Sequence, residues 1–403
     1  MVAFIVILVF GDYLGSISGA GALLKIVCAA LFAVVSLYYF GLSLAAAQLP
    51  ALLAVCYMVG CVLVSDFNVA LVYELFKVLS FVTMLVAFQC LVRRGRDAVF
   101  GHSIASITDS AVKAIDLCVK FNALVVLVQV VAGQDIVRFA GIPTDTINTP
   151  QMAGRFSGLI VNLPLWSSML VLQFLLGDRK VFPHHARSLS PAKRLFLLLL
   201  LLLSGQKFAI LFLVGYMLLR MGRPLVLLAI FVAISYASYP FIREHPQVVD
   251  KLQQLDGLLD YGFQLLDMAD ANSEFPLFGF LDIRVNSWIY GFLSLSAFPL
   301  GRGLGTWGDF SASLNPGISD PVVLAESYWS HIMVEQGALV LGLLLVIWLS
   351  ARALKDATWV FFAFLFVSLW FTMGPSDYLW VQLVCLVFFG SRLADTRNAM
   401  GER

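Results

Sequence analysis

Charge is what this chain has least of. Of its 403 residues only 13% are Asp, Glu, Lys or Arg, whereas a soluble domain carries about 25% because its water-facing surface needs them. The 26 basic and 25 acidic residues nearly cancel, which excludes the broad positive field that attracts nucleic acid. Cysteine is equally uninformative. Cys28, Cys56, Cys61, Cys90, Cys118 and Cys385 all fall in apolar stretches with no CxxC spacing, so they read as small hydrophobic residues. With no Cys/His cluster and no Asp-x-Asp pair, neither a metal site nor a nucleotide-sugar site is expected. There is no internal repeat, and no low-complexity tract beyond the Leu run at 197–203.

What the chain has in abundance is apolar length. Sixty per cent of it is hydrophobic, and Phe alone occurs 33 times. Runs of about 20 apolar residues, enough for a helix to cross the hydrocarbon core, recur from end to end. The expectation is an all-α polytopic membrane protein of about 12 transmembrane helices. They fall near 1–13, 21–41, 44–64, 70–92, 111–133, 156–177, 193–204, 207–221, 224–240, 327–350, 356–373 and 377–391. The stretch Met1 to Phe10 lacks a basic n-region and a cleavage site, so it reads as a retained first span.

Orientation follows from the basic residues. With both termini cytoplasmic, the inner loops collect Arg93, Arg94 and Arg96; Arg179, Lys180, Arg187, Lys193 and Arg194; Arg220 and Arg223; Arg352 and Lys355; then Arg392, Arg397 and Arg403. That is the positive-inside pattern, and shifting the register by one span would destroy it. The chain thus divides into nine spans over 1–240, a long outer loop over 241–325, and three spans with a cytoplasmic tail over 326–403. The loop is acidic and has internal order. Val248, Leu252, Leu255, Leu258, Leu259 and Leu266 recur at helical spacing, and an apolar stretch at 285–298 precedes Gly301-Arg302-Gly303-Leu304-Gly305. The expectation is a cap of amphipathic helices at the outer interface, followed by a flexible glycine-rich backbone.

Ionisable groups in or at the ends of spans are costly, so each is a functional candidate. Arg155, Lys207, Arg284 and Glu326 fall at one depth on the outer side. Three fixed cations there suit a diphosphate, and a carboxylate beside them suits a general base. Blander roles compete: a cation at a helix end commonly snorkels, and an acid at a helix start is favoured by the dipole. Glu335 and His331, four apart, fit a structural pair as well as an auxiliary catalytic one. Glu74 and Lys77, three apart, read as paired with each other. Trp288, Trp307, Tyr328 and Trp329 have the chemistry to stack on sugars, although outer aromatics are commonly belt residues. His184 and His185 on an inner loop receive no role.

At these residues the chain resembles the O-antigen polymerase/ligase superfamily. Arg155-Phe-Ser-Gly-Leu-Ile-Val-Asn-Leu-Pro164 is similar to the family's Arg-x-x-Gly…Asn-Pro opening of a span. Ser204-Gly-Gln-Lys207 resembles its Ser/Thr-x-Ser-Arg turn, with Lys for Arg. Arg284-Val-Asn-Ser-Trp288 leading to Phe298-Pro-Leu-Gly-Arg-Gly-Leu-Gly-Thr-Trp307 resembles its outer-loop signature. Glu326-Ser-Tyr-Trp-Ser-His-Ile-Met-Val-Glu335-Gln-Gly337 resembles its His-Asn-x-Tyr…Glu-x-Gly helix. Glu326 stands where the ligases of the family place a His, which tilts the resemblance toward the Wzy-type polymerases. Lys207 for Arg gives up the bidentate fork.

The resemblance implies a GT-C-like glycosyltransferase in the bacterial inner membrane with a periplasmic active site. Its substrates would be glycans on undecaprenyl pyrophosphate, both donor and acceptor, entering from the membrane lipid. Glu326 would be the base. Arg284, Lys207 and Arg155 would hold the pyrophosphate, with Arg302, Tyr328 and Trp288 lining the substrate. No cofactor or metal is expected and no nucleic-acid partner, while a chain-length regulator protein is a possible partner. An O-antigen ligase acting on lipid A core, and a lipid-linked oligosaccharide flippase or transporter, are the alternatives.

Overall fold

The computed structural model describes residues 48–67, 69–94, 98–133, 155–160, 162–182, 189–220, 283–308, 327–369 and 378–401, together with isolated positions in the first two apolar runs, Ile136 and Ala229. Among these residues every regular element is a helix and no strand occurs. In chain order they are α1 (Gln48–Val64), α2 (Val69–Arg94), α3 (Ala98–Ala132), α4 (Leu163–Leu176), α5 (Pro191–Ser204), α6 (Lys207–Arg220), α7 (Ile283–Ala297), α8 (Tyr328–Gln336), α9 (Val340–Ala351), α10 (Thr358–Val367) and α11 (Tyr378–Gly401). Two helical stretches, Ser106–Ala132 and Tyr328–Ala351, are long and apolar enough to cross a membrane. Shorter apolar helices include Leu49–Val64, Leu163–Leu176, Thr358–Val367 and Trp380–Arg392. The runs at 224–240 and 247–270 lie outside the described residues.

The helices are apolar outside as well as inside. Leu63, Phe67, Val131, Leu199 and Leu341 are exposed on their outer faces, where a water-soluble protein would need charge. Helix α2 packs against α1, α9 and α11, while α4 packs against α3, α5 and α6. Aromatic rings fill the interior: Phe361 meets Phe388 and Phe389 with centroids 5.2 and 5.6 Å apart, and Phe182 meets Phe388 at 4.9 Å.

Three local features correct the sequence expectations. The apolar run from 156 does not start as a helix, so Arg155 does not open one. Residues 155–160 are a coil because Gly158 has φ +66°, and a Cβ there would collide with the Asn122 side chain. Asn122 in α3 donates to the Ser157 carbonyl at 2.7 Å and accepts from the Leu159 and Ile160 amides at 2.8 and 3.3 Å. Only at Asn162, whose side chain accepts from Leu165 N, does α4 begin.

The tenth run is also interrupted. Ser327 caps α8, but Gly337 at φ +53° ends it, and a 3-10 turn over Gly337–Leu339 leads into α9. Finally, the segment at 301–308 is docked rather than flexible. Gly301, Gly303 and Gly305 have φ of +87°, +95° and +74°. A Cβ on Gly303 would stand 2.8 Å from Ser65 Cα, and one on Gly305 2.5 Å from the Ala70 carbonyl carbon. Here glycine serves close backbone approach.

Candidate functional site

The glycine-rich segment lies on α8 by backbone hydrogen bonds. Arg302 N donates to the Val334 carbonyl and Gly303 N to the Glu335 carbonyl, both at 2.9 Å, while Ala338 N donates back to Pro299 O at 2.7 Å. The Leu304 amide donates to Ser65 Oγ at 2.7 Å, which ties the segment to the α1–α2 turn as well. Glu335 completes the seat: its Oε1 accepts from the Thr306 and Trp307 amides at 3.0 and 3.2 Å. Helix α7 closes the other side. Gly291 lets it approach Ser330, where a Cβ would stand 3.0 Å from Ser330 Cα. Arg302 donates to Tyr290 Oη at 2.5 Å, and Tyr290 packs on Trp307 with centroids 5.3 Å apart.

Beneath this seat lies a buried set of four ionisable side chains. Glu74 and Lys77 come from α2, and His331 and Glu335 from α8; none is more than 4% exposed. Lys77 Nζ contacts Glu74 Oε1 at 2.5 Å and lies 4.2 Å from the centre of the Tyr73 ring. His331 Nε2 stands 3.5 Å from Glu74 Oε2 and 3.3 Å from Glu335 Oε2. The His331 ring stacks on Trp307, with centroids 6.1 Å apart and planes inclined by 22°. Tyr57 of α1 donates to Gln336 Oε1 at 2.5 Å next to this set. Glu74 and Lys77 lie in the second and third turns of α2, His331 in the first turn of α8 and Glu335 in its last, within apolar helices. Such placement is costly unless the groups satisfy one another or serve a function.

The predicted cations fall in two places joined by α7. Phe156 N donates to the Leu203 carbonyl at 2.9 Å, and Gly205, left-handed at φ +65°, lets the Arg155 stem lie over the turn. A Cβ on Gly205 would meet Arg155 Cγ at 3.0 Å. Lys207, two residues on, is exposed, and Arg155 is half-buried. The adjoining Phe208 meets Trp288 of α7, with centroids 6.5 Å apart. Two residues further along α7, Tyr290 belongs to the Arg302–Trp307 group. Arg284 is in the first turn of α7, four residues before Trp288. Glu326 lies outside the described residues, next to the α8 cap Ser327.

Of the aromatic candidates, Trp288 is half-buried, while Tyr328, Trp329 and Trp307 are 7, 6 and 1% exposed. The Glu74–Lys77 pair expected from spacing is present, and so is the closeness of His331 to Glu335. What spacing did not assemble is the meeting of the two pairs, nor the part of Tyr57, Tyr290 and Asn122. The available signal was the cost of Glu74 and Lys77 inside an apolar run. No protein-family model matches the chain, and no curated protein or solved structure matches it.

Proposed function

We infer that the protein joins lipid-linked oligosaccharide repeat units at the periplasmic face of a bacterial inner membrane. One observation carries this reading: four segments far apart in sequence, 155–164, 204–207, 284–307 and 327–337, meet in space. The links are Arg155 over Gly205 and Gly303 on Glu335, together with Phe156 to Leu203 and Phe208 against Trp288 at the residues that flank 204–207. These are the segments that resemble the polymerase/ligase superfamily.

In the proposed reaction the donor is a glycan on undecaprenyl pyrophosphate and the acceptor is a single repeat unit on the same carrier. Glu326 takes the proton of the acceptor hydroxyl as its oxygen forms a bond to the donor's anomeric carbon. The bond from that carbon to the pyrophosphate breaks, and the electron pair leaves with the carrier. Arg284, Lys207 and Arg155 neutralise the departing charge, while Arg302, Tyr328 and Trp288 border the substrate path. A stable anionic leaving group needs no general acid, unlike the two-carboxylate glycosidases, and direct displacement inverts the anomeric centre. The step is drawn without a metal or cofactor.

The test is purified protein with lipid-linked repeat units alone. Polymer is expected; its absence, with transfer to lipid A core when that acceptor is added, would make the protein a ligase. Glu326→Gln is expected to leave only single-repeat product at unchanged protein level, and Arg284→Ala to abolish turnover. Wild-type chain lengths in Glu326→Gln would remove the base from the mechanism. A second reading, a transporter of the same lipid-linked glycan, draws on the buried Glu74–Lys77–His331–Glu335 set, since intramembrane ionisable groups often mark ion paths. It predicts translocation in vesicles without glycan growth.

A further inference from the structure

The buried set contains an arrangement that hydrogen bonding does not explain. Both carboxylates present one oxygen to the same nitrogen: Glu335 Oε2 at 3.3 Å and Glu74 Oε2 at 3.5 Å from His331 Nε2. One N–H proton serves one acceptor well, so two anionic oxygens crowding a single ring nitrogen are poorly satisfied by a protonated imidazole. Neither His331 Nε2 nor Glu335 Oε2 has a partner with hydrogen-bond geometry, although the two residues are 2 and 1% exposed. The other oxygen of each carboxylate is occupied. Glu74 Oε1 is held by Lys77, and Glu335 Oε1 by the Thr306 and Trp307 amides.

We propose that Glu74, His331 and Glu335 bind one divalent transition-metal ion of the zinc or manganese class. One donor atom from each lies within 4.8 Å of the others. Two of the three donor–donor separations, 3.3 and 3.5 Å from His331 Nε2 to the two carboxylates, bracket the edge of about 3.4 Å expected for a tetrahedron with metal–ligand distances of about 2.1 Å. Imidazole nitrogen with carboxylate oxygens is a donor set that such ions take. Lys77 and the two backbone amides then act as the outer partners that orient ligating carboxylates.

Charge decides the fourth ligand. With neutral His331, the two carboxylates and Lys77 sum to one negative charge. A dication leaves one positive charge, which hydroxide or a phosphate oxygen cancels at the open position. The ion joins α2 to α8 and, through Glu335, to the glycine-rich segment. This inference goes beyond the glycosyl-transfer reading and does not depend on it.

Metal content of the purified full-length protein tests it without reference to activity. Protein prepared without chelator, then chelator-stripped and reloaded with ZnCl2, MnCl2 or CoCl2, is measured by elemental analysis and, for cobalt, by visible absorption. The expected result is one ion per chain with a tetrahedral cobalt spectrum. Glu335→Gln keeps an oxygen for the Thr306 and Trp307 amides but replaces a ligand atom with NH2, and His331→Ala removes the nitrogen. Each is expected to weaken binding by more than about tenfold, since even the outer partners of a ligand are worth about 10–100-fold, while the remote variant Asp178→Asn binds as wild type. No uptake of any of the three ions by folded wild-type protein would overturn the site. So would equal uptake by wild type and Glu335→Gln, the variant that preserves the seat of the segment.

Discussion

Glu335→Ala separates a side chain that merely fills space from one that holds the glycine-rich segment in place. Oε1 of Glu335 takes two backbone amides, at 3.0 and 3.2 Å, beside a Trp307 that is 1% exposed. A hydrogen bond to a charged group contributes about 1.5–3 kcal/mol, and a buried amide left without an acceptor costs about 1–3 kcal/mol. Alanine supplies no acceptor, so opening of residues 301–308 becomes easier by about 3–5 kcal/mol. At about 1.4 kcal/mol per factor of ten, that is a rise of a hundredfold or more in the open population. Hydrogen exchange of the protein in lipid nanodiscs reads this directly. Peptides covering Thr306 and Trp307 should exchange faster by that factor, and peptides of α4 should not change. Glu335→Gln should exchange between the two, much nearer wild type than Glu335→Ala, because its neutral amide oxygen still accepts both amides. Unaltered exchange over 301–308 in a folded Glu335→Ala protein would refute the reasoning.

Two other substitutions test the supports around the site. Asn122→Ala removes three hydrogen bonds to the coil at 157–160 and is expected to cost about 2–3 kcal/mol, seen as a lower midpoint of thermal unfolding in detergent; an unchanged midpoint would show the coil to be held elsewhere. On the opposite face, Asp178 just beyond α4 accepts hydrogen bonds from Arg220, at 2.7 Å from Nε, and from Tyr216. Burial alone would raise the Asp178 carboxyl, but the bonds from Arg220 and Tyr216 outweigh it and hold the group below its ordinary value. A lowered carboxyl stabilises the fold above the unfolded-state value of about 4 and loses that contribution as pH falls through the folded-state value. Asp178→Asn should therefore cost about 2 kcal/mol at pH 7, with the gap to wild type closing only below about pH 4.

The all-helical character was legible in the sequence, and around α5 and α6 the signals are local. The Ser204-Gly-Gln-Lys207 turn divides α5 from α6 as its sequence indicated, with the left-handed Gly205 ending α5 and Lys207 beginning α6, whereas the Ser190 cap that starts α5 was not singled out. The coil at 155–160 was not legible, since its apolar composition is that of a span and its cause, Asn122, is more than thirty residues away. Gly301, Gly303 and Gly305 were misread for the same reason. Glycines that permit contact and glycines that permit motion look alike until Ser65 and Ala70 are brought beside them. The closeness of Glu74 to Lys77 and of His331 to Glu335 followed from helical spacing, but the meeting of His331 with Glu74 depends on a tertiary contact between side chains of α2 and α8, and no local pattern encodes that.

The seat of the glycine-rich segment has a consequence for how the polypeptide can be divided. Residues 301–308 come from the C-terminal part of the chain, yet they rest on Ser65 and Ala70 from the N-terminal part. Neither fragment of a chain severed between Arg220 and Ile283 would own a complete interior: the first would lack the wedge, and the second its anvil. The seat on Ser65 and Ala70 therefore stays empty during synthesis until residues 301–308 have emerged.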